Sequence, residues 1–196
     1  MELPTLNKYS FIIPVYNEED SIKKVIDEIN SLDLAEKEII VVDDHSTDES
    51  VKVCRNFDNV KIIQNLMNFG YGYSLKAGIK HAQNDHVVII DGDGSYPMKN
   101  FNEMRENYEK GFDMVIGRRI GKNLNKTLIK AMLRSILKFI VEFSVGNKIP
   151  DINSGFRIFN RKDVIKYFDQ LCDTFSFSTS ITLIYNFNKK SIKYID

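Results

Sequence analysis

The sequence predicts an α/β domain in which a mostly parallel sheet is flanked by helices. Short β-branched runs recur along the first two thirds of the 196 residues, and segments with helical periodicity lie between several of them. The runs at 39–42 and 87–90 are continuously apolar, which is typical of strands buried on both faces. Such strands in alternation with helices indicate a parallel sheet.

The individual elements follow from these patterns in chain order. Five strands are predicted, at residues 11–15, 38–43, 60–64, 87–91 and 113–117. An apolar face predicts a helix that begins near Ser21; its members are Ile22, Val25, Ile26, Ile29 and Leu32. Gly70-Tyr-Gly72 lacks the third glycine of a dinucleotide-binding turn, and we interpret it as leading into a helix over 73–82. A last strand is predicted near Tyr194.

Composition restricts the classes of function. The 27 basic and 27 acidic residues cancel, so no bulk positive charge draws the chain to nucleic acid. Cys54 and Cys172 are too few and too far apart for a disulfide framework or a zinc site, and a reducing compartment is expected. The sequence has no secretory signal and no run of the ~20 apolar residues that a membrane span needs. We expect a single domain over residues 1–196 that does not span a bilayer.

Polar side chains gather where the predicted strands end. Acids or arginines follow four of the five strands, where plain loops usually carry Gly, Asn or Ser. The residues at these strand ends are Pro14, Tyr16, Asn17 and Glu18 for the first strand, Asp43 and Asp44 for the second, Asp91 and Asp93 for the fourth, and Arg118 and Arg119 for the fifth. Because open parallel sheets bind ligands at the carboxyl ends of their strands, the pattern predicts a site at this edge.

The strongest single element of this edge is Asp91-Gly-Asp93. Two carboxylates at i and i+2 suit a hard divalent cation, and the glycine between them permits close approach of the backbone. An ordinary Asp-Gly turn is the open alternative. The three histidines, His45, His81 and His86, form no spaced cluster, and surface or capping roles are expected for them.

Four motifs occur in this order along the chain: Phe11-Ile-Ile-Pro14-Val-Tyr16-Asn17-Glu18, Val42-Asp43-Asp44-His-Ser46-Thr-Asp48, Asp91-Gly-Asp93 and Ser154-Gly155-Phe156-Arg157. With these motifs the chain resembles family 2 glycosyltransferases of the GT-A fold over roughly residues 10–195. The spacing and the last motif look most like the branch that makes polyprenyl-phosphate sugars, the dolichol-phosphate mannose synthase type. The resemblance implies a nucleotide-diphospho-sugar transferase fold and a UDP- or GDP-sugar donor.

The resemblance also implies roles for the donor-side residues. Pro14, Tyr16 and Glu18 would line the pocket for the base and ribose, and Asp44 would accept a hydrogen bond from the base. Asp91 and Asp93 would hold Mg²⁺ or Mn²⁺ against the diphosphate, and Asp93 would count among the catalytic residues.

On the phosphate and acceptor side, Arg119 would contact the donor phosphates and assist catalysis, since its fork geometry suits phosphate oxygens. Ser154 to Arg157, together with Arg134, would line the acceptor. Asp151 would orient Arg157 or the acceptor, or serve as a base if the acceptor is a hydroxyl; a plain loop acid after Pro150 is the alternative.

The chain departs from the family pattern at two positions. His45 stands where the family usually has glycine, which we expect to be tolerated if the backbone there is not left-handed. Ser95 stands where related synthases often place glutamine, and its shorter side chain leaves room for a water molecule near the metal.

A basic amphipathic helix is expected at about 123–145. Its cationic side chains recur every four residues and are Lys122, Lys126, Lys130, Arg134 and Lys138, while leucines and isoleucines fill much of the remaining face. Such a division suits a membrane interface, with the basic side toward anionic headgroups or a lipid phosphate. A helix packed on the domain with its lysines in water is the alternative.

We therefore expect an inverting, metal-dependent transfer of a hexose from a nucleotide-diphospho-sugar to a polyprenyl (dolichyl or undecaprenyl) phosphate, at the cytoplasmic face of the membrane. A phosphate monoester is already anionic near neutral pH and needs no base. Transfer to a glycan hydroxyl on the same fold is the nearest alternative. Two further alternatives are a sugar nucleotidyltransferase and a catalytically silent binding domain. Nucleotidyltransferases typically have a Gly-rich basic loop after the first strand, where this chain has Pro14-Val-Tyr-Asn-Glu-Glu19.

Overall fold

The computed structural model describes residues 8–118 and 149–196. The expected basic helix at about 123–145, and with it Arg119 and Arg134, lies outside the described residues.

The described residues contain seven strands and six α-helices. The strands are β1 (Lys8–Val15), β2 (Glu36–Asp43), β3 (Val60–Gln64), β4 (His86–Ile89), β5 (Met114–Gly117), β6 (Phe156–Asn160) and β7 (Ile192–Ile195). The helices are α1 (Ile22–Asn30), α2 (Ser50–Cys54), α3 (Tyr71–His81), α4 (Phe101–Glu109), α5 (Arg161–Ile165) and α6 (Phe177–Phe187). Short 3₁₀ turns precede α4 at Met98–Asn100 and follow α5 at Phe168–Gln170.

All seven strands form one sheet in the order β3-β2-β1-β4-β6-β5-β7. The pairs β1–β2, β1–β4, β2–β3 and β5–β7 are parallel, whereas β6 runs antiparallel to both β4 and β5. The amino end of β6 therefore meets the carboxyl ends of the other strands at one edge. This confirms the predicted α/β fold with a mostly parallel sheet, and the five predicted strands are present.

Strand alternation divides the core into two layers. Phe11 and Ile13 of β1 face a layer that also contains the buried face of α1 and side chains of α2 and α4. Ile12 faces the opposite layer, where it packs with residues of α3, α5 and α6. Both faces of the sheet are thus covered, which explains why β2 and β4 have continuously apolar sequences.

Within the described ranges, no helix has both the length and the apolar character that crossing a membrane requires.

His45 has a left-handed backbone conformation, with φ of 68°. The condition under which we expected histidine to be tolerated at this position is therefore not met. A side chain in this region brings Cβ close to the following carbonyl oxygen, which costs about 1–2 kcal/mol for an L-residue. The left-handed conformation of His45 therefore lowers the stability of the fold at the turn that follows β2.

We predict that His45→Gly stabilises the fold by about 1 kcal/mol, because glycine adopts positive φ without the Cβ penalty. The measurement is the free energy of unfolding in urea. Asp58→Gly is the matched control, since Asp58 is exposed in a turn and is not among the described residues with positive φ. An equal or lower stability for His45→Gly would contradict the assignment of backbone strain.

Candidate functional site

The loops that follow β1, β2 and β4 meet the segment that precedes β6 at one edge of the sheet. A Cβ added at Gly92, after β4, would lie 3.3 Å from the carbonyl oxygen of Pro14, so the two loops are in close contact. The Ser21 hydroxyl lies 2.8 Å from the carbonyl oxygen of Gly92 and 2.9 Å from Glu18 Oε2. The structure therefore brings the first and third sequence motifs together.

The Asp91 carboxylate is held by a phenol that the sequence analysis did not single out. The Tyr71 hydroxyl, at the first residue of α3, donates to Asp91 Oδ1 over 2.8 Å. Burial of the hydroxyl and the adjacent negative charge of Asp91 raise the pKa of Tyr71 well above its usual range. Tyr71 therefore stays protonated and keeps donating to the carboxylate.

Gly155 forms the surface against which Asp91 rests. A Cβ at this position would collide with both carboxylate oxygens of Asp91. The Gly155 amide donates to the Tyr96 hydroxyl over 2.6 Å, which fixes the segment from its other side. The glycine of the Ser-Gly-Phe-Arg motif is thus required by the first acid of the Asp-x-Asp motif, and the two motifs are in direct contact.

Asp93 differs from Asp91 because its side chain is exposed. Its Oδ1 accepts the amide of Ser95 over 2.9 Å, across a turn in which Gly94 has a φ of 67°. The Ser95 Oγ is buried and has no hydrogen-bond partner. A buried hydroxyl without a partner in the same turn as the Asp93 carboxylate is an arrangement that a bound oxygen ligand or a hydrated cation would satisfy.

The donor set fits a hard divalent cation only in part. Across residues 8–118 and 149–196 there is no group of three or more His, Cys, Asp or Glu side chains that forms a complete metal site. Asp91 and Asp93 supply carboxylate oxygens, the ligand type that Mg²⁺ and Mn²⁺ favour. A cation here would need further oxygens from a bound phosphate compound and from water.

The residues expected to surround a nucleotide lie on the β1 side of this edge. Pro14 and Glu18 are half-buried, while Tyr16 is 50% exposed and presents its ring to solvent. The Glu18 amide donates to Ser50 Oγ over 2.7 Å, and the Asn17 amide donates to Ser46 Oγ over 3.0 Å. These bonds tie the loop after β1 to the loop after β2.

Asp44 is placed differently from what the resemblance implies. Its carboxylate is buried and accepts hydrogen bonds from Asn65 Nδ2 (2.8 Å), the Phe69 amide (2.9 Å) and the Gly70 amide (2.8 Å). The side chain therefore organises the loop that leads into α3. Contact between Asp44 and a nucleotide base stays a prediction.

Arg157 also has a place that differs from the implied one. It is fully buried, and its guanidinium donates to the carbonyl oxygens of Ser154 (2.8 Å) and Ile152 (3.0 Å) and to Thr182 Oγ1 (2.7 Å). With no exposed surface, Arg157 cannot contact an acceptor directly in this conformation. It fixes the segment before β6 and thereby positions Gly155.

The other two acceptor-side residues lie near the same segment. Ser154 is buried, and its hydroxyl donates to the carbonyl oxygen of Gly117 at the end of β5. Asp151 is half-buried, and its Oδ1 accepts the Asn153 amide over 3.0 Å. Their contact with an acceptor, and the base role of Asp151, stay predictions.

Three residues that hold this edge together were missed from the sequence. Tyr71, Tyr96 and Ser21 each reach a motif residue that is distant in the chain. No periodicity or spacing in a single sequence indicates such contacts, because they depend on how α3, the loop after β4 and α1 pack on the sheet.

A family model described as glycosyl transferase family 2 matches residues 10–168. Among curated proteins, an undecaprenyl-phosphate 4-deoxy-4-formamido-L-arabinose transferase of Proteus mirabilis is 34% identical over 122 residues, which covers 58% of this chain and 37% of the relative. A dolichol-phosphate mannosyltransferase of Pyrococcus furiosus is 32% identical over 116 residues, covering 57% and 33%. The chain thus spans about a third of the length of these relatives.

Solved structures share the fold at low sequence identity. Glucosyl-3-phosphoglycerate synthase of Mycobacterium tuberculosis, in complex with UDP, superposes with a TM-score of 0.73 at 18% identity, over 96% of this chain and 69% of that one. The same enzyme in complex with Mn²⁺, UDP-glucose and phosphoglyceric acid gives a TM-score of 0.72, again at 18% identity and with the same coverage. The likeness establishes the fold of this chain.

We predict that Gly155→Ala destabilises the fold by about 1–3 kcal/mol, the usual cost of overpacking. Most of this cost should disappear when Asp91→Ala is also present, because the carboxylate is the group that the added methyl meets. A double-mutant cycle of urea unfolding free energies measures the coupling. An equal cost of Gly155→Ala in both backgrounds would show that Asp91 does not rest on Gly155.

Proposed function

The chain belongs to glycosyl transferase family 2, and from that premise we propose that it transfers a hexose from a nucleotide-diphospho-sugar to a polyprenyl phosphate. The observation that carries the proposal is the contact between Asp91 and Gly155, which unites the donor-side and acceptor-side motifs at one edge of the sheet. The reaction of the whole protein is part of the proposal, since the chain covers only part of the curated relatives.

We assign donor binding to the loops after β1, β2 and β4. Tyr16 offers an exposed ring for stacking with a base, and Pro14 and Glu18 line the same side. Asp91 and Asp93 would hold Mg²⁺ or Mn²⁺, and Arg119 is proposed as a further cation for the phosphates. A divalent ion bound there supplies charge stabilisation for a leaving diphosphate.

The transfer itself is a single displacement at the anomeric carbon. An oxygen of the acceptor phosphate forms a bond to that carbon as the bond to the donor diphosphate breaks, and the nucleoside diphosphate leaves with the electron pair. Attack opposite the leaving group inverts the anomeric configuration. The chain's own residues would hold the two substrates in line, which lowers the barrier by fixing the orientation of the reacting atoms.

The lipid acceptor is supported by the names of the relatives and by the chemistry of the site. Two curated relatives are transferases named for undecaprenyl phosphate or dolichol phosphate. An anionic phosphate needs no general base, and the half-buried Asp151 carboxylate accepts a backbone amide of its own loop. With this acceptor, the chain would act peripherally at the cytoplasmic membrane face, with segment 123–145 contributing to attachment.

Transfer to a hydroxyl is the second candidate. It is favoured by the structural likeness to an enzyme crystallised with UDP-glucose and phosphoglyceric acid, and Asp151 would then serve as the base.

We expect the protein to move labelled hexose from a UDP- or GDP-sugar to undecaprenyl phosphate, giving a product that organic solvent extracts and mild acid releases. Chelation with EDTA should abolish the transfer, and Mn²⁺ or Mg²⁺ should restore it. Label that stays in water-soluble glycan would contradict the lipid acceptor.

Asp93→Ala should lower turnover about a hundredfold or more, since a divalent ion contributes several kcal/mol to relief of the developing charge. Asp169→Ala, which removes another exposed carboxylate, is the matched control and should keep wild-type turnover. Unchanged turnover in Asp93→Ala would remove Asp93 from the metal site.

Tyr71→Phe should raise the Mn²⁺ concentration needed for half-maximal turnover about tenfold, because a hydrogen bond to a charged group contributes about 1.5–3 kcal/mol. Tyr73→Phe, two residues further along α3 with a 39% exposed ring, is the matched control. If both variants need the same Mn²⁺ concentration as wild type, Tyr71 does not position Asp91 for the metal.

A further inference from the structure

Five large apolar or aromatic side chains protrude beside the candidate site and together form what we call the apolar rim. They are Leu66 (90% exposed), Met67 (57%), Phe69 (41%), Tyr73 (39%) and Phe175 (83%). Scattered exposed apolar residues are normal on protein surfaces, but a contiguous group marks an interaction surface.

Two segments that are distant in the chain build this rim. The first comprises the loop after β3 and the start of α3, and the second is the segment before α6. The Tyr73 amide donates to the carbonyl oxygen of Asp173 over 2.9 Å, and a Cβ at Gly72 would collide with the carbonyl of Cys172. The Phe69 and Tyr73 rings lie 4.5 Å apart between centroids.

The rim has a fixed backbone. The buried Asp44 carboxylate binds the Phe69 and Gly70 amides and the side chain of Asn65. The backbone amide of Asn65 in turn donates to the carbonyl oxygen of Asp43 over 2.9 Å. The protruding side chains are therefore held outward by a hydrogen-bonded loop, which lowers the ordering cost of binding.

The rim is depleted of charge to an unusual degree for this chain. Residues 65–75 and 174–188 contain no Asp, Glu, Lys or Arg, although 28% of the sequence is charged. Two of the charged residues that flank these runs, Lys76 and Asp173, pair with each other over 2.7 Å. Neither run itself therefore carries a charged side chain whose transfer into an apolar phase would cost free energy.

The rim is continuous with the candidate site through one aromatic side chain. The Tyr71 ring stacks on Phe175 at 5.5 Å between centroids, while its hydroxyl holds Asp91. A partner that covers Phe175 would therefore lie next to Tyr71, whose hydroxyl contacts Asp91.

We infer that the apolar rim inserts into the surface of a lipid bilayer and brings the site to an acceptor in that bilayer. The choice of a lipid surface rests on the proposed function, because a polyprenyl phosphate presents its phosphate at the headgroup level. The exposure of the rim agrees, because Leu66 is 90% and Phe175 83% exposed, so both side chains can enter the acyl region of a bilayer. Tyr73 has the amphipathic ring that favours the interfacial region.

The test is sedimentation of the full chain with phosphatidylcholine vesicles, without donor or acceptor, at low salt and at about 0.5 M salt, where surface charge is screened. We expect binding that persists at high salt. Leu66→Asp and Phe175→Asp should each weaken it about tenfold or more, because burial of an apolar side chain is replaced by burial of a carboxylate.

Phe187→Asp is the matched control and should bind as wild type does. Phe187 is 62% exposed but lies at the far end of α6, ~15 Å along the helix from its start. Because Leu66 is almost fully exposed, Leu66→Asp decides the question even if Phe175→Asp fails to fold, as judged by its urea midpoint.

The same assay with anionic phosphatidylglycerol vesicles completes the test, and three results would overturn the inference. The first is that the wild type binds no phosphatidylcholine vesicles. The second is that it binds only phosphatidylglycerol vesicles and is released by salt, as attachment through basic segment 123–145 predicts, and the third is that Leu66→Asp binds as wild type does.

A parallel assay separates this inference from the proposed function. Turnover with a short, water-soluble prenyl phosphate needs no membrane, and Leu66→Asp should retain it while losing turnover with undecaprenyl phosphate in vesicles. Wild-type turnover on the soluble acceptor without vesicle binding would overturn the rim alone. Vesicle binding that depends on Leu66, without transfer to either acceptor, would overturn the proposed function alone.

Discussion

The arrangement of the site depends on the contact between the Asp91 carboxylate and the backbone of Gly155. A carboxylate at a strand end costs free energy unless hydrogen bonds compensate for its partial burial. Here Tyr71 donates to one oxygen, and the glycine lets the carboxylate come close to the segment before β6. Antiparallel β6 makes this contact possible, since it brings its amino end to the edge where β4 ends.

The other polar contacts of this edge hold in place the residues that surround the contact between Asp91 and Gly155. Arg157 fixes the carbonyl groups of residues 152 and 154, and Tyr96 holds the Gly155 amide. Asp44 in the same way fixes the loop before α3, from which Tyr71 projects. Asp44 and Arg157, which were expected to touch substrate, thus also support the residues around them, and their contact with substrate stays a prediction.

Much of the fold could be predicted because it is encoded locally. Continuous apolar runs marked β2 and β4, and the spacing of the apolar residues marked α1. The strand β6 was not predicted, since Phe156–Asn160 carries a buried arginine, whose guanidinium is accommodated by the carbonyl oxygens of residues 152 and 154 and by the hydroxyl of Thr182 in α6. The left-handed His45 was equally hidden, because a single sequence does not reveal a position at which strain is tolerated.

In the site, too, the residues that were predicted are those with a local signal in the sequence. The acids at the strand ends were found because their positions after apolar runs are visible in the sequence. Tyr71 was not found: it follows a glycine at a helix start and looks like any aromatic residue that packs there. Its role depends on the distance between α3 and β4, which is set by the packing of the core layer between α3 and the sheet.

The proposed chemistry requires that the Asp91–Asp93 edge binds a nucleoside diphosphate together with a divalent cation. Calorimetric titration of UDP and of GDP, with and without Mn²⁺, measures this binding. We expect one of the two nucleotides to bind more tightly with Mn²⁺, and Asp91→Asn to remove this gain. Equal affinity with and without Mn²⁺, or a gain that survives in Asp91→Asn, would contradict it.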